Sequence, residues 1–234
     1  MLYPIVLWDL DNTLLDFDAS ARAALTETLV WLEEEPLEEH FAAYKAINSR
    51  LWTLLEEGGI DLPELKRRRF ASLLTYLGKE GDPLEVNDKY LDFLAGQGHL
   101  VPGAKAVLQA LQLVGVRMSV ITNGLSAVQG RRLAKTQLES FFEAVIVSEE
   151  IGVAKPFPAF FDHTLKTLEI EDFRQVLVIG DNPGSDILGG QQAGLDTCWF
   201  NPKKKENPLP QEPTYEVHRL EEVLPIILRE GGSI

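Results

Sequence analysis

The chain has 234 residues, 45% of them hydrophobic and 25% charged, which suits one large globular core or a core with an insert and excludes a disordered or fibrous chain. Its net charge of −14 argues against a nucleic-acid polymer as partner, because phosphate backbones are held by basic faces. Its one cysteine, Cys198, excludes an internal disulfide framework and points to a reducing, cytosolic setting.

The first apolar run, residues 5–8, follows no basic leader or cleavage site, is too short to span a membrane and stops at Asp9. It therefore predicts a buried first strand. Asp9, Asp11, Asn12 and Thr13 follow it, more polar groups than a turn requires. Residues 17–97 carry no strand pattern. Ala24, Leu25, Thr28, Leu29 and Leu32 recur at helical spacing, as do Leu51, Leu54 and Leu55. Gly58-Gly59, Gly78 and Gly81-Asp82-Pro83 divide the stretch into separate helices. So long a helical segment is more than a crossover, and it predicts a helical cap over 17–97, with 1–16 and 98–234 forming the catalytic core.

Apolar runs at 117–121, 144–147, 176–179 and 197–200 predict further strands, with helices over 104–114, 126–138, 158–168 and 185–193. Pro102-Gly103 opens the first of these helices and Gly115 closes it. Strands alternating with helices of this length make βαβ units and a parallel α/β sheet. A loop at 201–213, a short strand at 214–217 and an amphipathic helix at 220–228 complete the pattern.

The residues just beyond these strands carry the functional signal. The first run ends at Asp9, the second at Thr122-Asn123-Gly124 and the fourth at Gly180-Asp181-Asn182, while the third leads through Ser148 to Lys155-Pro156. Ligands of an open parallel sheet bind outside the carboxyl ends of its strands. An acidic pair, a hydroxyl with a Gly-containing turn, a lysine and a second acidic pair are the inventory of a Mg²⁺-dependent phosphoryl-transfer site. A small phosphorylated ligand is compatible with the acidic net charge where local cations oppose it.

Asp9-Leu10-Asp11-Asn12-Thr13, Thr122, Lys155 and Gly180-Asp181 with Asp186 resemble, in order and spacing, the four motifs of the haloacid-dehalogenase-like hydrolase superfamily. The resemblance spans the chain and implies a Rossmann-like parallel core flanked by helices, with an all-helical cap of the C1 type inserted after the first motif. The stretches 44–52 (YKAINSRLW), 148–156 (SEEIGVAKP) and 193–201 (AGLDTCWFN), with the pair Arg69-Phe70, are similar to a bacterial branch of pyrimidine nucleoside 5′-monophosphate phosphatases.

The resemblance implies roles for named residues. Asp9 is the expected nucleophile and Asp11 the acid/base, with Thr13 bracing their turn. Asp9, Asp181 and the Asp11 carbonyl are expected to hold Mg²⁺. Asp186 is expected at the metal site one shell out, on a metal-bound water or on Lys155, or else as an ordinary acidic residue at a helix start. Thr122, Asn123, Gly124 and Lys155 are expected to hold the phosphate, and Lys155 also to serve catalysis by facing Asp9. In the cap, Asn48 and Trp52 share a helix face and are candidates for the base, although Trp52 suits the cap core equally well. Lys66 to Arg69 fan around a helix turn and cannot all face one ligand, and Arg69 is the candidate among them.

The expected reaction is hydrolysis of a small phosphomonoester through an aspartyl-phosphate, with a pyrimidine nucleotide as substrate. A sugar-phosphate phosphatase or a phosphomutase is the alternative. A dehalogenase fits less well, because a departing halide needs no acid at Asp11, and a non-catalytic phosphate sensor fits least. A monomer or weak homo-oligomer without membrane contact is expected.

Overall fold

The structure, a computed structural model, describes residues 1–229. Residues 230–234, included in the predicted core, lie outside the described residues. The chain forms two compact units, Met1–Phe17 with Gly98–Ile234, and Asp18–Gln97.

In chain order the elements are β1 (Ile5–Trp8), α1 (Phe17–Trp31), α2 (Glu38–Glu56), α3 (Leu62–Leu77), α4 (Pro83–Ala95), α5 (Ala104–Leu113), β2 (Arg117–Thr122) and α6 (Ser126–Thr136). They continue with β3 (Ala144–Val147), α7 (Ser148–Ile151), α8 (Pro158–Thr167), β4 (Val176–Gly180), α9 (Leu188–Gln192), β5 (Asp196–Phe200), β6 (Tyr215–Val217) and α10 (Val223–Leu228). The six strands form one sheet in the order β3-β2-β1-β4-β5-β6, and every neighbouring pair is parallel. β1 lies inside the sheet, with Trp8 opposite Val120 of β2 and Ile179 of β4.

The unbroken apolar runs follow from burial on both faces. Val6 and Trp8 join one core cluster with Met118, Val120, Leu177 and Ile179, shared with α5 and α10. Ile5 and Leu7, with side chains of opposite parity, join another with Val176 and Val178, against Phe160, Phe161 and Leu165 of α8. Gly189 lets α9 approach closely, since a Cβ there would fall 2.5 Å from the Phe161 ring and 2.9 Å from Pro156 Cα.

In the helical unit, α2 packs on α3 and α3 on α4. Asp61 caps α3 by accepting from the Glu64 N–H (2.8 Å), and Asp82 caps α4 through the Leu84 N–H (2.9 Å), with Pro83 following. Gly78 ends α3 in the left-handed conformation, φ 65°, as its lack of a Cβ permits.

Two local readings of the sequence change. The predicted helix over 185–193 is a wide π-type turn at Pro183–Ile187 followed by α9. Phe17 belongs with the sheet unit, one residue past the predicted division. There its N–H donates to Asn12 Oδ1 at 3.1 Å, and its ring lies 5.8 Å from Arg132 Cζ. Among the described residues no helix is long and apolar enough to cross a membrane.

Candidate active site

Successive strands are laid outward from β1 on one side (β1, β2, β3) and from β4 on the other (β4, β5, β6), and in open α/β sheets such a switch point opens the ligand crevice. Asp9 stands there, its N–H donating to the Ile179 carbonyl at 2.8 Å. Leu10 then turns into the core, fully buried. Asn12 adopts a left-handed conformation, φ 62°, which Asn tolerates better than most residues. The turn brings Thr13 back, and its fully buried hydroxyl donates to Asp9 Oδ2 at 3.0 Å.

The other oxygen of Asp9 faces Lys155. The Lys155 Nζ donates to Asp9 Oδ1 at 2.8 Å, to Asp186 Oδ1 at 2.6 Å and to the Ile121 carbonyl at 2.9 Å. Three N–H groups meet three acceptors, so the ammonium is saturated within the protein. In this geometry it fixes and neutralises the carboxylates, and the N–H groups expected on a phosphate are turned elsewhere. Burial alone would lower the Lys155 pKa, but Asp186 and Asp9 outweigh it and hold the ammonium above its usual range. The side chain of Asn123, whose main-chain N–H is the group expected at the phosphate, is engaged with Lys155. Its Oδ1 accepts from the Lys155 N–H (2.8 Å) and its Nδ2 donates to the Lys155 carbonyl (2.9 Å). The Thr122 hydroxyl accepts from the Gly124 N–H at 3.0 Å, at the strand-to-helix turn where anion-binding amides gather.

Asp9, Asp181 and Asp186 each offer a carboxylate oxygen, and the three atoms lie within 4.8 Å of one another. Asp186 is fully buried, with one oxygen on Lys155 and the other accepting from the Asn182 N–H at 3.1 Å. Asp186 is thus held against Lys155 while also standing in the carboxylate group. Gly180 is required here, because a Cβ would overlap Asp186 Oδ2. One ammonium pairs with two of these three carboxylates. Burial pushes Asp9 up to about 7, with Asp186 and Asp11 adding to the rise and Lys155 opposing it. Burial likewise lifts Asp181 to about 8, reinforced by Asp9 and Asp186. Lys155 remains charged while the carboxylates crowd each other, and this deficit of positive charge in a hard oxygen donor set suits a divalent cation.

Residues 3–194 match the haloacid dehalogenase-like hydrolase family. The chain belongs to that family. It is 36% identical over 224 residues to the pyrimidine 5′-nucleotidase PynA of Streptococcus pneumoniae, covering 96% of this chain and 94% of that one. It is also 36% identical over 230 residues to the pyrimidine 5′-nucleotidase YjjG of Escherichia coli, covering 96% and 99%. The crystal structure of YfnB from Bacillus subtilis, a protein bound to magnesium there, superposes with a TM-score of 0.92 at 36% identity, covering 97% and 99% of the two chains.

Within this hydrolase two further side chains meet the site. Gln129 and Arg132 of α6 both contact the Asp11 carboxylate, and the sequence reading missed them. Their i, i+3 spacing on the helix that opens just after Thr122-Asn123-Gly124 was the available signal.

The residues singled out in the helical unit separate. Arg69 is 3% exposed and donates to Asn48 Oδ1 (3.3 Å) and Asn87 Oδ1 (2.5 Å), with its guanidinium 5.0 Å and 5.2 Å from the centres of the Phe70 and Tyr90 rings. Its Nε has no acceptor, and among the described residues it has no carboxylate partner. Arg67 and Arg68 are exposed, and Arg68 pairs with Glu64 on its own helix. Trp52 is half-buried and packs against the Leu51, Ile60 and Leu65 cluster.

Proposed function

We propose that this hydrolase is a Mg²⁺-dependent phosphomonoesterase that acts on nucleoside 5′-monophosphates, pyrimidine nucleotides by preference. The observation that carries the chemistry is Asp9. It is a buried carboxylate at the sheet's switch point, held by Lys155 and Thr13 and grouped with Asp181 and Asp186. The nucleotide preference is supported by the names of the relatives PynA and YjjG and by the stretches 44–52, 148–156 and 193–201.

Asp9, Asp181 and the Asp11 carbonyl would hold the metal, while Asp186 acts through Lys155. When bound, Mg²⁺ offsets the repulsion between these carboxylates and a phosphate dianion. Lys155 on Oδ1 and Thr13 on Oδ2 fix the plane of the Asp9 carboxylate. An Asp9 oxygen bonds to phosphorus as the phosphorus–oxygen bond to the nucleoside breaks, and the departing oxygen takes a proton from Asp11. Water then gives a proton to Asp11 as its oxygen bonds to phosphorus, the bond to Asp9 breaks, and inorganic phosphate leaves. The Thr122 turn supplies the hydroxyl and main-chain N–H groups for the phosphate. In the helical unit, Asn48, Trp52 and Arg69 are the residues proposed for recognition of the base. A cytosolic setting belongs to the same proposal.

Phosphate release should be measured against UMP, dUMP, dTMP, AMP, GMP, hexose phosphates and 2-chloropropionate, with an EDTA control. The expected result is preferential release from pyrimidine nucleotides, abolished by EDTA. Activity on hexose phosphates alone would end the nucleotide reading, and halide release without metal would end the phosphatase reading.

The charge deficit has a thermodynamic consequence. With Asp9 and Asp181 raised to about 7 and about 8, the metal-free folded protein binds more protons than the unfolded chain between the usual carboxylate range and these values. The contribution of these two groups to stability is therefore fully present at acid pH and is lost as pH rises through that window. Melting scans with and without Mg²⁺ should show a larger metal-induced rise in Tm near about pH 8 than near about pH 5.5. Equal shifts at both would contradict the assigned donor set.

A further inference from the structure

The carboxylate of Asp11 is engaged at both oxygens from a single helix. Gln129 Nε2 donates to Asp11 Oδ2 at 2.7 Å, and Arg132 pairs with Oδ1. Both side chains are buried, at 1% exposure each, and they are tied to each other by the Arg132 guanidinium donating to Gln129 Oε1 at 3.1 Å. The Gln129 amide also donates to the Thr122 hydroxyl at 3.1 Å, so one side chain joins the first motif to the second. Gly124 makes room for it, because a Cβ there would overlap Gln129 Nε2. The Arg132 guanidinium in turn lies 5.8 Å from the Phe17 ring, just past the Asp9–Thr13 turn.

Burying an arginine and a glutamine without good partners is costly. Here their polar groups converge on one carboxylate that stands two residues from the nucleophile. A core with only structural needs would be served by apolar side chains at these positions.

We propose that Gln129 and Arg132 are positioning residues that set the orientation of Asp11 for proton transfer to the leaving group, an inference that rests on the phosphomonoesterase reading above. They touch neither phosphorus nor the leaving oxygen. Their effect runs through Asp11, whose carboxyl must meet the departing oxygen within hydrogen-bond reach when the phosphorus–oxygen bond breaks.

The leaving group distinguishes positioning from general damage. A nucleoside alkoxide needs a proton as it departs, whereas p-nitrophenolate leaves readily without one. Gln129→Ala and Arg132→Lys should be compared with wild type by kcat/KM on a pyrimidine nucleotide and on p-nitrophenyl phosphate, since kcat/KM reports the steps up to transfer onto Asp9. The expected loss is roughly 100-fold on the nucleotide and less than about threefold on p-nitrophenyl phosphate. Gln129→Ala keeps the Arg132–Asp11 pair, and Arg132→Lys keeps the charge without the planar fork. If either variant fails to fold, the other still decides. Equal losses on the two substrates, or no loss on the nucleotide, would overturn the proposal. A wild-type protein that releases phosphate from neither substrate would instead overturn the phosphomonoesterase reading.

Discussion

Asp9→Asn is expected to remove phosphate release from every substrate, lowering kcat by at least about 10⁴-fold, while the protein stays folded. Asn is nearly isosteric with Asp but lacks the charged oxygen that must bond to phosphorus. The fold should tolerate it for a local reason. Lys155 keeps Asp186 at 2.6 Å and the Ile121 carbonyl at 2.9 Å, so its ammonium is not orphaned, and the Thr13 hydroxyl retains an amide oxygen as acceptor. The substitution also removes a carboxylate that burial holds up to about 7. Above that value wild-type Asp9 is ionised at a cost that Asn does not carry. Metal-free Asp9→Asn should therefore melt at or above the wild-type temperature near about pH 8, while the two differ less near about pH 5. A folded variant that hydrolysed nucleotides at the wild-type rate would eliminate Asp9 as nucleophile. Asp11→Asn, which removes the proton donor and not the nucleophile, should separately abolish nucleotide turnover.

The part of this site that could be read in advance is the part written along single strands. Asp9, Thr122 and Asp181 each follow an apolar run, and the reason is geometric: parallel strands end on one edge, so polar residues at their ends converge. Lys155 was reached through the motif after the third run. What stayed hidden depends on which side chain meets which across the fold. Gln129 and Arg132 lie 118 and 121 residues from Asp11, and helical spacing assigns them a common face without saying what covers it. Nothing in Asn123-Gly124 signals that the Asn123 amide would clasp the backbone of Lys155. The cluster around Arg69 has the same character. Tyr44, Asn87 and Tyr90 come from two helices and surround the guanidinium only once α2, α3 and α4 have packed. The helix expected over 185–193 failed at its start, where Asn182 Oδ1 accepts from the Gly184 and Ser185 N–H groups (2.9 and 3.2 Å). These are the bonds of an ordinary N-cap, so nothing at Asn182 signals that the turn after it is the wide one that places Asp186 against Lys155.

Lys155→Met carries the largest expected effect on stability. Met matches the length of the lysine stem and removes the ammonium, leaving Asp9 and Asp186 facing each other in a buried space. Lys155 is 1% exposed and bridges both carboxylates. Deleting one partner of such a buried ionic group costs about 3–5 kcal/mol, because the remaining charges stay desolvated and unpaired. The pH dependence has a definite sign. Without the ammonium, the carboxylates hold their protons to higher pH in the folded state than in the unfolded chain. The variant is therefore least affected at acid pH and loses stability as pH rises through the raised values. Denaturant unfolding of the metal-free proteins should show the gap from wild type widening from about pH 5 to about pH 8. Adding Asp186→Asn should recover part of the loss, since it removes one of the two stranded charges and keeps an oxygen for the Asn182 N–H. It should not recover turnover, because the Asp9 carboxylate has still lost the cation that orients it. A Lys155→Met protein as stable as wild type at alkaline pH would show that the three carboxylates do not depend on this ammonium. The charge balance on which the metal assignment rests would then be wrong.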